Sequence, residues 1–259
     1  MIDLTIENSV AEIVLNAPAK LNSLDEGALG ELSRAYDDAA AAAADGSVRA
    51  LVLRGEGRAF CAGRDISQVH PDTDDAVAYL GGLVTPLLQK MSVFPAPTFA
   101  AAHGACLGVG LGLLVATDVV YVAENAKLGS PFANLGATLD SGGHGLFTER
   151  LGAHRTLDLI YTAELMSGAD AVAAGLFSRV MPADELLPRT RETAQRVASG
   201  ATGAFRASKE LVASIRDRRL GLWESISEEN VAQGELCNSA DYAEGFTAFQ
   251  EKRKPVFKG

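Results

Sequence analysis

Apolar and polar residues follow two different periods in the N-terminal part of the chain. Residues 2–15 alternate around a polar turn at 7–9, and this pattern predicts a β-hairpin. Apolar side chains then recur at helical spacing until Asp45–Gly46, where we expect the helix to stop. The sequence Ser23-Leu24-Asp25-Glu26 matches a capping box, with Ser23 in the N-cap position. A hairpin followed by a helix is therefore the first predicted unit of the fold.

Strand and helix signals keep alternating as far as Met181. Strands are expected at residues 48–54, 98–102 and 119–122, and helices at residues 78–91 and from Val109 onward. This order is typical of an α/β fold. Beyond Met181 the strand signal disappears, and helices are expected at residues 185–199, 204–219, 221–236 and 239–251. We therefore predict an α/β core over residues 1–199 and a helical module over residues 200–259.

The composition is that of a folded, acidic chain. With 259 residues and 47% hydrophobic content, the chain can form a substantial core, and a net charge of −10 disfavours nucleic-acid binding because phosphate contacts need clustered Lys and Arg. No run is apolar enough to span a membrane, and the acidic N-terminus does not have the pattern of a signal peptide. The three cysteines leave one unpaired in any disulfide scheme. These features predict a cytoplasmic protein.

Two segments rich in small residues follow predicted strands. The first glycine loop, residues 58–66, reads Arg-Ala-Phe-Cys-Ala-Gly-Arg-Asp-Ile, and the second glycine loop, residues 104–112, leads into a helix. Such loops can aim bare backbone N–H groups into a cleft, and a helix N-terminus adds partial positive charge. A dinucleotide fingerprint fails because Leu113 stands where the third glycine would have to be. No pair of His, Cys or acidic residues shows metal-ligand spacing, so no metal is expected.

An ordered set of segments resembles the crotonase (enoyl-CoA hydratase/isomerase) superfamily over nearly the whole chain. The segments are residues 16–24 (NAPAKLNSL), 60–65 (FCAGRD), the second glycine loop, 117–118 (TD), 171–180 (AVAAGLFSRV) and 244–255 (EGFTAFQEKRKP). The resemblance implies a spiral of ββα units with a C-terminal helical trimerisation module, assembled as a homotrimer or a dimer of trimers. It also implies an acyl-CoA thioester substrate from a pathway such as fatty acid metabolism, with no separate cofactor because CoA is part of the substrate.

The resemblance also assigns roles to individual positions. Two backbone N–H groups, those of Arg64 and Val109, match the family's oxyanion hole, where they would bind the thioester oxygen. Further positions match residues that line the path of CoA or reach a CoA bound by the neighbouring subunit. The first group is Lys20, Ala62, Asp65 and Ile66, and the second is Phe249 and Lys252.

The chain differs from family hydratases at the two positions whose side chains add water to the substrate. Two glutamates share that work in family hydratases, and their positions hold Gly112 and Phe132 here, neither of which can exchange a proton. A carboxylate reappears at Asp140, in a segment that resembles the phenylacetate-pathway isomerases of the epoxyphenylacetyl-CoA isomerase type. An isomerase needs only one proton shuttle. We therefore expect an enoyl-CoA isomerase with Asp140 as acid and base, and not a two-glutamate hydratase.

Other interpretations of these residues stay open at this point. Asp140 could instead cap a helix over residues 142–151, as Asp-Ser-Gly often does. The chain could be a non-catalytic acyl-CoA binder, or a dehalogenase or hydrolase in which Asp140 is the nucleophile. His144 could assist Asp140 or have a structural role, and residues 67–87 are expected to form a loop over the acyl pocket. The acyl group itself is not readable from the sequence.

Overall fold

The computed structural model describes residues 1–67 and 69–259 as a mixed α/β fold. The strands are β1 (Ile2–Glu7), β2 (Val10–Leu15), β3 (Ala50–Gly55), β4 (Thr98–Ala102), β5 (Ala105–Leu107), β6 (Val119–Ala123), β7 (Lys127–Gly129), β8 (Met166–Ser167) and β9 (Arg179–Met181). One sheet has the order β1-β2-β3-β4-β6-β9, and a smaller one has the order β5-β7-β8. The predicted α/β class is confirmed.

The larger sheet places the starts of the two glycine loops at the same end of its parallel strands. Strands β1 and β2 form the predicted antiparallel hairpin, and each later neighbour pair in this sheet is parallel. Strands β3 and β4 are parallel neighbours, with Leu51 opposite Thr98 and Arg54 opposite Ala101. The carboxyl ends of parallel neighbours meet at the same edge, so the segments that follow β3 and β4 start side by side.

Helices lie between the strands along the chain and account for most of the described residues beyond Met181. They are α1 (Glu26–Ala44), α2 (Ala76–Tyr79), α3 (Thr85–Ser92), α4 (Val109–Val115), α5 (Gly143–Leu151), α6 (Ala153–Thr162), α7 (Gly168–Ala173), α8 (Ala183–Ala198), α9 (Thr202–Arg218), α10 (Leu222–Leu236) and α11 (Ala240–Gln250). A π-helical turn, Leu80–Val84, joins α2 to α3. The four helices predicted beyond Met181 are present, each within two residues of the expected bounds. The division between residues 199 and 200 remains a prediction.

Two local predictions are wrong. The N-cap of α1 is Asp25, whose carboxylate accepts a hydrogen bond from the Ala28 N–H at 2.8 Å, and Ser23 lies outside the helix. The expected loop over residues 67–87 extends too far, because residues 76–92 are helical, in agreement with the helix predicted over residues 78–91. Asp75 caps α2 through the Ala78 N–H at 2.8 Å. Gln68, which also belongs to that expected loop, lies outside the described residues.

Helix α8 secures the C-terminal helices to the sheet. Its Ala194 and Ala198 pack against the outer face of the sheet at Ala50, Val52 and Phe99. The opposite face of the sheet covers the main core, which includes buried side chains of α1 and α4. None of the helices described in the structure is long and apolar enough to cross a membrane.

Candidate active site

Backbone hydrogen bonds tie the first glycine loop to the second. Cys61 pairs with Cys106 as an isolated parallel bridge, in which the Cys61 N–H donates to the Ala105 carbonyl and the Leu107 N–H donates to the Cys61 carbonyl, both at 3.0 Å. Gly63 has a φ of +99°, and a Cβ atom on it would lie 2.8 Å from the Leu107 carbonyl oxygen. Only glycine therefore fits where the two loops touch.

The amides of Arg64 and Val109 follow directly after the point of contact between the loops. Gly63 and Gly108 are neighbours in space, since a Cβ on Gly63 would lie 3.7 Å from the Gly108 Cα. Among the described residues, neither the Arg64 N–H nor the Val109 N–H finds a hydrogen-bond acceptor. Val109 is also the first residue of α4, where the helix leaves its N–H groups unpaired. The two donors are thus free to bind an oxygen from a ligand.

Asp140 lies just before α5 without capping it. The N-cap of α5 is Gly142, and no side chain caps the helix, so the helix-cap interpretation of Asp140 is wrong. The Asp140 Oδ1 atom is buried and has no hydrogen-bond partner among the described residues, and the same is true of the neighbouring Ser141 hydroxyl. An unpaired buried polar atom is costly, so these two oxygens together mark a site that a ligand can fill.

The environment of Asp140 favours its protonated form. Burial raises the pKa of the Asp140 carboxyl above its ordinary value of 3.8, and the charges of Arg64 and His144 offset part of this rise. A carboxylate with a raised pKa is a stronger base than an exposed aspartate. Asp140 therefore has the properties of a group that takes up and returns a proton.

Asp140→Asn should raise the melting temperature at neutral pH by roughly 2–4 °C, corresponding to about 1 kcal/mol. Because folding raises the pKa of Asp140, its protonated form contributes stability below the unfolded pKa of 3.8, and that contribution is lost as pH rises through the higher folded pKa. Thermal unfolding at pH 7 and near pH 3 measures the effect. A gain at pH 7 that does not shrink in acid would contradict the account.

Gly112 and Phe132, the two positions that differ from family hydratases, are packed against different neighbours. A Cβ on Gly112 would lie 2.5 Å from the Ser141 Cβ, so Ser141 occupies the space that a side chain at position 112 would need. The ring of Phe132 packs on the second glycine loop, 2.9 Å from where a Gly108 Cβ would lie. Ser141 and the Phe132 ring therefore fill the space near the free amides, and neither position 112 nor position 132 carries an ionisable side chain.

Of the residues matched to CoA contacts, Lys20 and Asp65 are brought together. Lys20 Nζ lies 2.9 Å from Asp65 Oδ2, and Asp65 Oδ1 accepts hydrogen bonds from the backbone N–H and hydroxyl of Ser67 at 3.0 and 2.7 Å. The Ser67 and Lys20 contacts lower the pKa of Asp65 to about 2. Ala62 donates its N–H to the Leu21 carbonyl at 3.0 Å, and the Ile66 side chain is exposed.

The structure places Phe249 and Lys252 apart from the glycine loops. Phe249 lies near the end of α11, is 83% exposed, and lines a cavity of about 480 Å³ formed entirely by residues 201–259. Lys252 is an exposed residue just beyond α11. Within the single chain, neither residue belongs to the cluster around Asp140.

Sequence patterns do not indicate the partners of the Arg64 side chain. Its guanidinium forms two hydrogen bonds with the Asp74 carboxylate, at 2.6 and 3.0 Å, and lies 4.1 Å from the centre of the Tyr79 ring. Tyr79 and Asp74 both line a cavity of about 770 Å³ next to Arg64. Asp74 is one of several acids in its segment, and Tyr79 has the pattern of a core residue, so nothing in the sequence distinguishes them. His144 is exposed, and the described residues include no metal-binding cluster.

Comparison with known proteins agrees with this architecture. The sequence model of the family described as enoyl-CoA hydratase/isomerase matches residues 5–259. A probable enoyl-CoA hydratase of Mycobacterium bovis is 34% identical, over 97% of this chain and 95% of that protein. The 1,2-epoxyphenylacetyl-CoA isomerase of Escherichia coli K12 is 29% identical, over 98% of this chain and 97% of that protein.

Solved structures give the same result. The crystal structure of an enoyl-CoA hydratase subunit I from Geobacillus kaustophilus superposes with a TM-score of 0.89 at 32% identity, over 99% of this chain and 97% of that one. The match in fold extends through the C-terminal helices. The chain therefore has the crotonase fold and belongs to the enoyl-CoA hydratase/isomerase family.

Proposed function

We propose that the protein is an enoyl-CoA isomerase that moves a double bond along the acyl chain of a CoA thioester. The observation that carries the proposal is the half-buried carboxylate of Asp140, whose Oδ1 atom has no hydrogen-bond partner among the described residues and which interacts with the charge of Arg64. The amides of Arg64 and Val109 likewise find no acceptor among the described residues. The two positions that hold glutamates in family hydratases carry Gly112 and Phe132. Asp140 is thus the candidate proton shuttle.

One carboxyl group is enough for the reaction. The Asp140 carboxylate takes a proton from C2 of a 3-enoyl thioester, and the electron pair of that C–H bond moves into the thioester to form a dienolate. The amides of Arg64 and Val109 stabilise the developing negative charge on the thioester oxygen. The protonated Asp140 then returns a proton to C4, which leaves the double bond between C2 and C3 and restores the carboxylate.

Several relatives are named hydratases, but we propose a different reaction for this chain. Adding water to a 2-enoyl thioester requires a group that polarises the water and a group that protonates C2. The amides and Asp140 provide for an enolate and one proton, and they leave no second ionisable side chain at position 112 or 132. The 1,2-epoxyphenylacetyl-CoA isomerase of Escherichia coli shows that this family also includes a relative named as an isomerase.

Gly112→Glu should lower stability by about 1–3 kcal/mol and should not produce a hydratase. The added Cβ would lie 2.5 Å from the Ser141 Cβ and 3.0 Å from the Ser141 carbonyl oxygen, so the backbone near Asp140 has to shift. Thermal unfolding and an assay for 3-hydroxyacyl-CoA measure the two effects. Gly234→Glu, in α10, is the control because no described residue lies within 4 Å of a Cβ there. Equal melting temperatures for the two variants would refute the steric argument.

Binding of CoA is proposed to involve Lys20, Ala62, Asp65 and Ile66, which lie within or next to the first glycine loop. Phe249 and Lys252 are proposed to reach the CoA of a neighbouring subunit in a homotrimer or a dimer of trimers. Exposed aromatic side chains support assembly through the C-terminal helices, since Trp223 is 79% and Phe249 83% exposed in the single chain.

The proposed function is tested by incubating the purified protein with 3-hexenoyl-CoA and following formation of the conjugated 2-enoyl thioester. Turnover supports the isomerase. Tight binding without turnover would indicate an acyl-CoA binder, and a covalent acyl-enzyme detected by mass spectrometry would indicate that Asp140 is a nucleophile.

A further inference from the structure

The peptide that presents the Arg64 amide is held on one side by Leu24. The Leu24 N–H donates to the Gly63 carbonyl at 2.8 Å, and the Leu24 carbonyl accepts the Asp65 N–H at 3.0 Å. Leu24 is fully buried, so this frame is fixed to the core. The two hydrogen bonds enclose Arg64, whose own N–H has no acceptor among the described residues.

The Arg64 side chain is held on its other side by the segment that leads into α2. Asp74 binds the guanidinium through both carboxylate oxygens, at 2.6 and 3.0 Å, which is the bidentate geometry that fixes an arginine most firmly. Tyr79 lies 4.1 Å from the guanidinium carbon and is buried. The Arg64 side chain therefore has a defined position rather than extending freely into solvent.

Tyr79 closes the arrangement into a ring of contacts. Its hydroxyl donates to the Leu24 carbonyl at 3.2 Å, the same oxygen that accepts the Asp65 N–H. A path of direct contacts thus runs from Asp74 through the Arg64 guanidinium to Tyr79, then to Leu24, and back to the peptide bonds on either side of Arg64. A shift of the guanidinium would act through Tyr79 on Leu24, whose N–H holds the Gly63 carbonyl of the peptide that carries the Arg64 N–H.

Resting on the proposed function, we infer that Asp74 is a positioning residue, which acts through the Arg64 side chain to hold the Arg64 N–H toward the thioester oxygen. Misplacing a donor by a fraction of an ångström weakens its hydrogen bond to the enolate more than it weakens binding of the rest of CoA. The inference also connects the segment before α2, which lines the cavity of about 770 Å³, to the oxyanion hole.

The test compares Asp74→Asn and Arg64→Ala with the control Asp72→Asn. Asp72 is an exposed acid two residues away with no hydrogen bond to a described residue, so its replacement changes the charge equally. With 3-hexenoyl-CoA, Asp74→Asn and Arg64→Ala should each lower kcat on the order of ten- to a hundred-fold with little change in KM. The double variant, with both Asp74→Asn and Arg64→Ala, should have a kcat no lower than that of Arg64→Ala, because both substitutions break the same path of contacts.

A second readout does not depend on turnover. Acetoacetyl-CoA forms an enolate with its own ultraviolet absorption, and a working oxyanion hole raises the enolate fraction of the bound ligand. Asp74→Asn should lower this fraction at equal saturation, and Asp72→Asn should leave it unchanged. An unchanged enolate fraction in Asp74→Asn would overturn the inference. If the wild-type protein binds the enolate but does not isomerise 3-hexenoyl-CoA, the proposed function fails while the role of Asp74 is still decided.

Discussion

Asp140→Asn is expected to lower kcat for isomerisation of 3-hexenoyl-CoA on the order of 10²- to 10⁴-fold, the contribution typical of a general acid–base group. Asparagine has nearly the same shape as aspartate but cannot accept the C2 proton. Burial raises the pKa of Asp140, so activity of the wild-type protein should increase with pH as the carboxyl ionises. This pH-dependent increase should be absent from the residual activity of Asp140→Asn.

Binding of the CoA thioester should persist in Asp140→Asn, because the free amides of Arg64 and Val109 and the Lys20–Asp65 pair are unchanged. Calorimetry with a saturated acyl-CoA measures this. Asp158→Asn is the matched control, since Asp158 lies on the exposed part of α6. A kcat of Asp140→Asn within a few-fold of that of the control would mean that another group carries the proton.

Val109→Pro is expected to lower kcat on the order of 10²- to 10³-fold by removing one of the two proposed oxyanion donors, a loss of about 3 kcal/mol. Proline suits the first position of a helix, where the N–H has no helical partner, and Val109 begins α4. The preceding Gly108 has φ 53° and ψ −121°, a conformation open to glycine and compatible with a following proline. The fold should therefore survive.

The control for Val109→Pro is Val109→Ala, which keeps the amide N–H and loses part of the same buried side chain. Melting temperatures establish that both variants are folded, and kcat with 3-hexenoyl-CoA gives the effect of the donor. If alanine and proline at this position reduce kcat equally, packing at Val109 matters and its N–H does not.

Periodicity and capping signals were sufficient to predict most of the architecture. The hairpin over residues 2–15 and the helices beyond Met181 depend on local patterns and were predicted closely. The N-cap of α1 was misassigned because Ser23 and Asp25 are both good caps, and the choice between them depends on how the peptide at Leu24 pairs with the first glycine loop. That pairing joins distant parts of the sequence and is not a local signal.

The candidate site was predicted only as far as the family pattern extends. The free amides and Asp140 occupy positions that the resemblance had indicated. The packing of Ser141 against Gly112 and the contacts of Arg64 with Asp74 and Tyr79 involve residues that the family pattern does not mark. These contacts depend on the directions in which the tertiary fold points the side chains. Neither periodicity nor motif spacing predicts those directions.

The central claim is that one carboxyl group moves a proton between C2 and C4 and that no water is added. Incubation with 3-hexenoyl-CoA and with 2-hexenoyl-CoA in deuterated water tests it most directly, with double-bond position, deuterium content and 3-hydroxyacyl-CoA followed together. The account predicts double-bond migration with deuterium at C2 and C4 and no 3-hydroxy product. Rapid formation of 3-hydroxyhexanoyl-CoA would contradict it, because Gly112 and Phe132 leave no glutamate pair to add water.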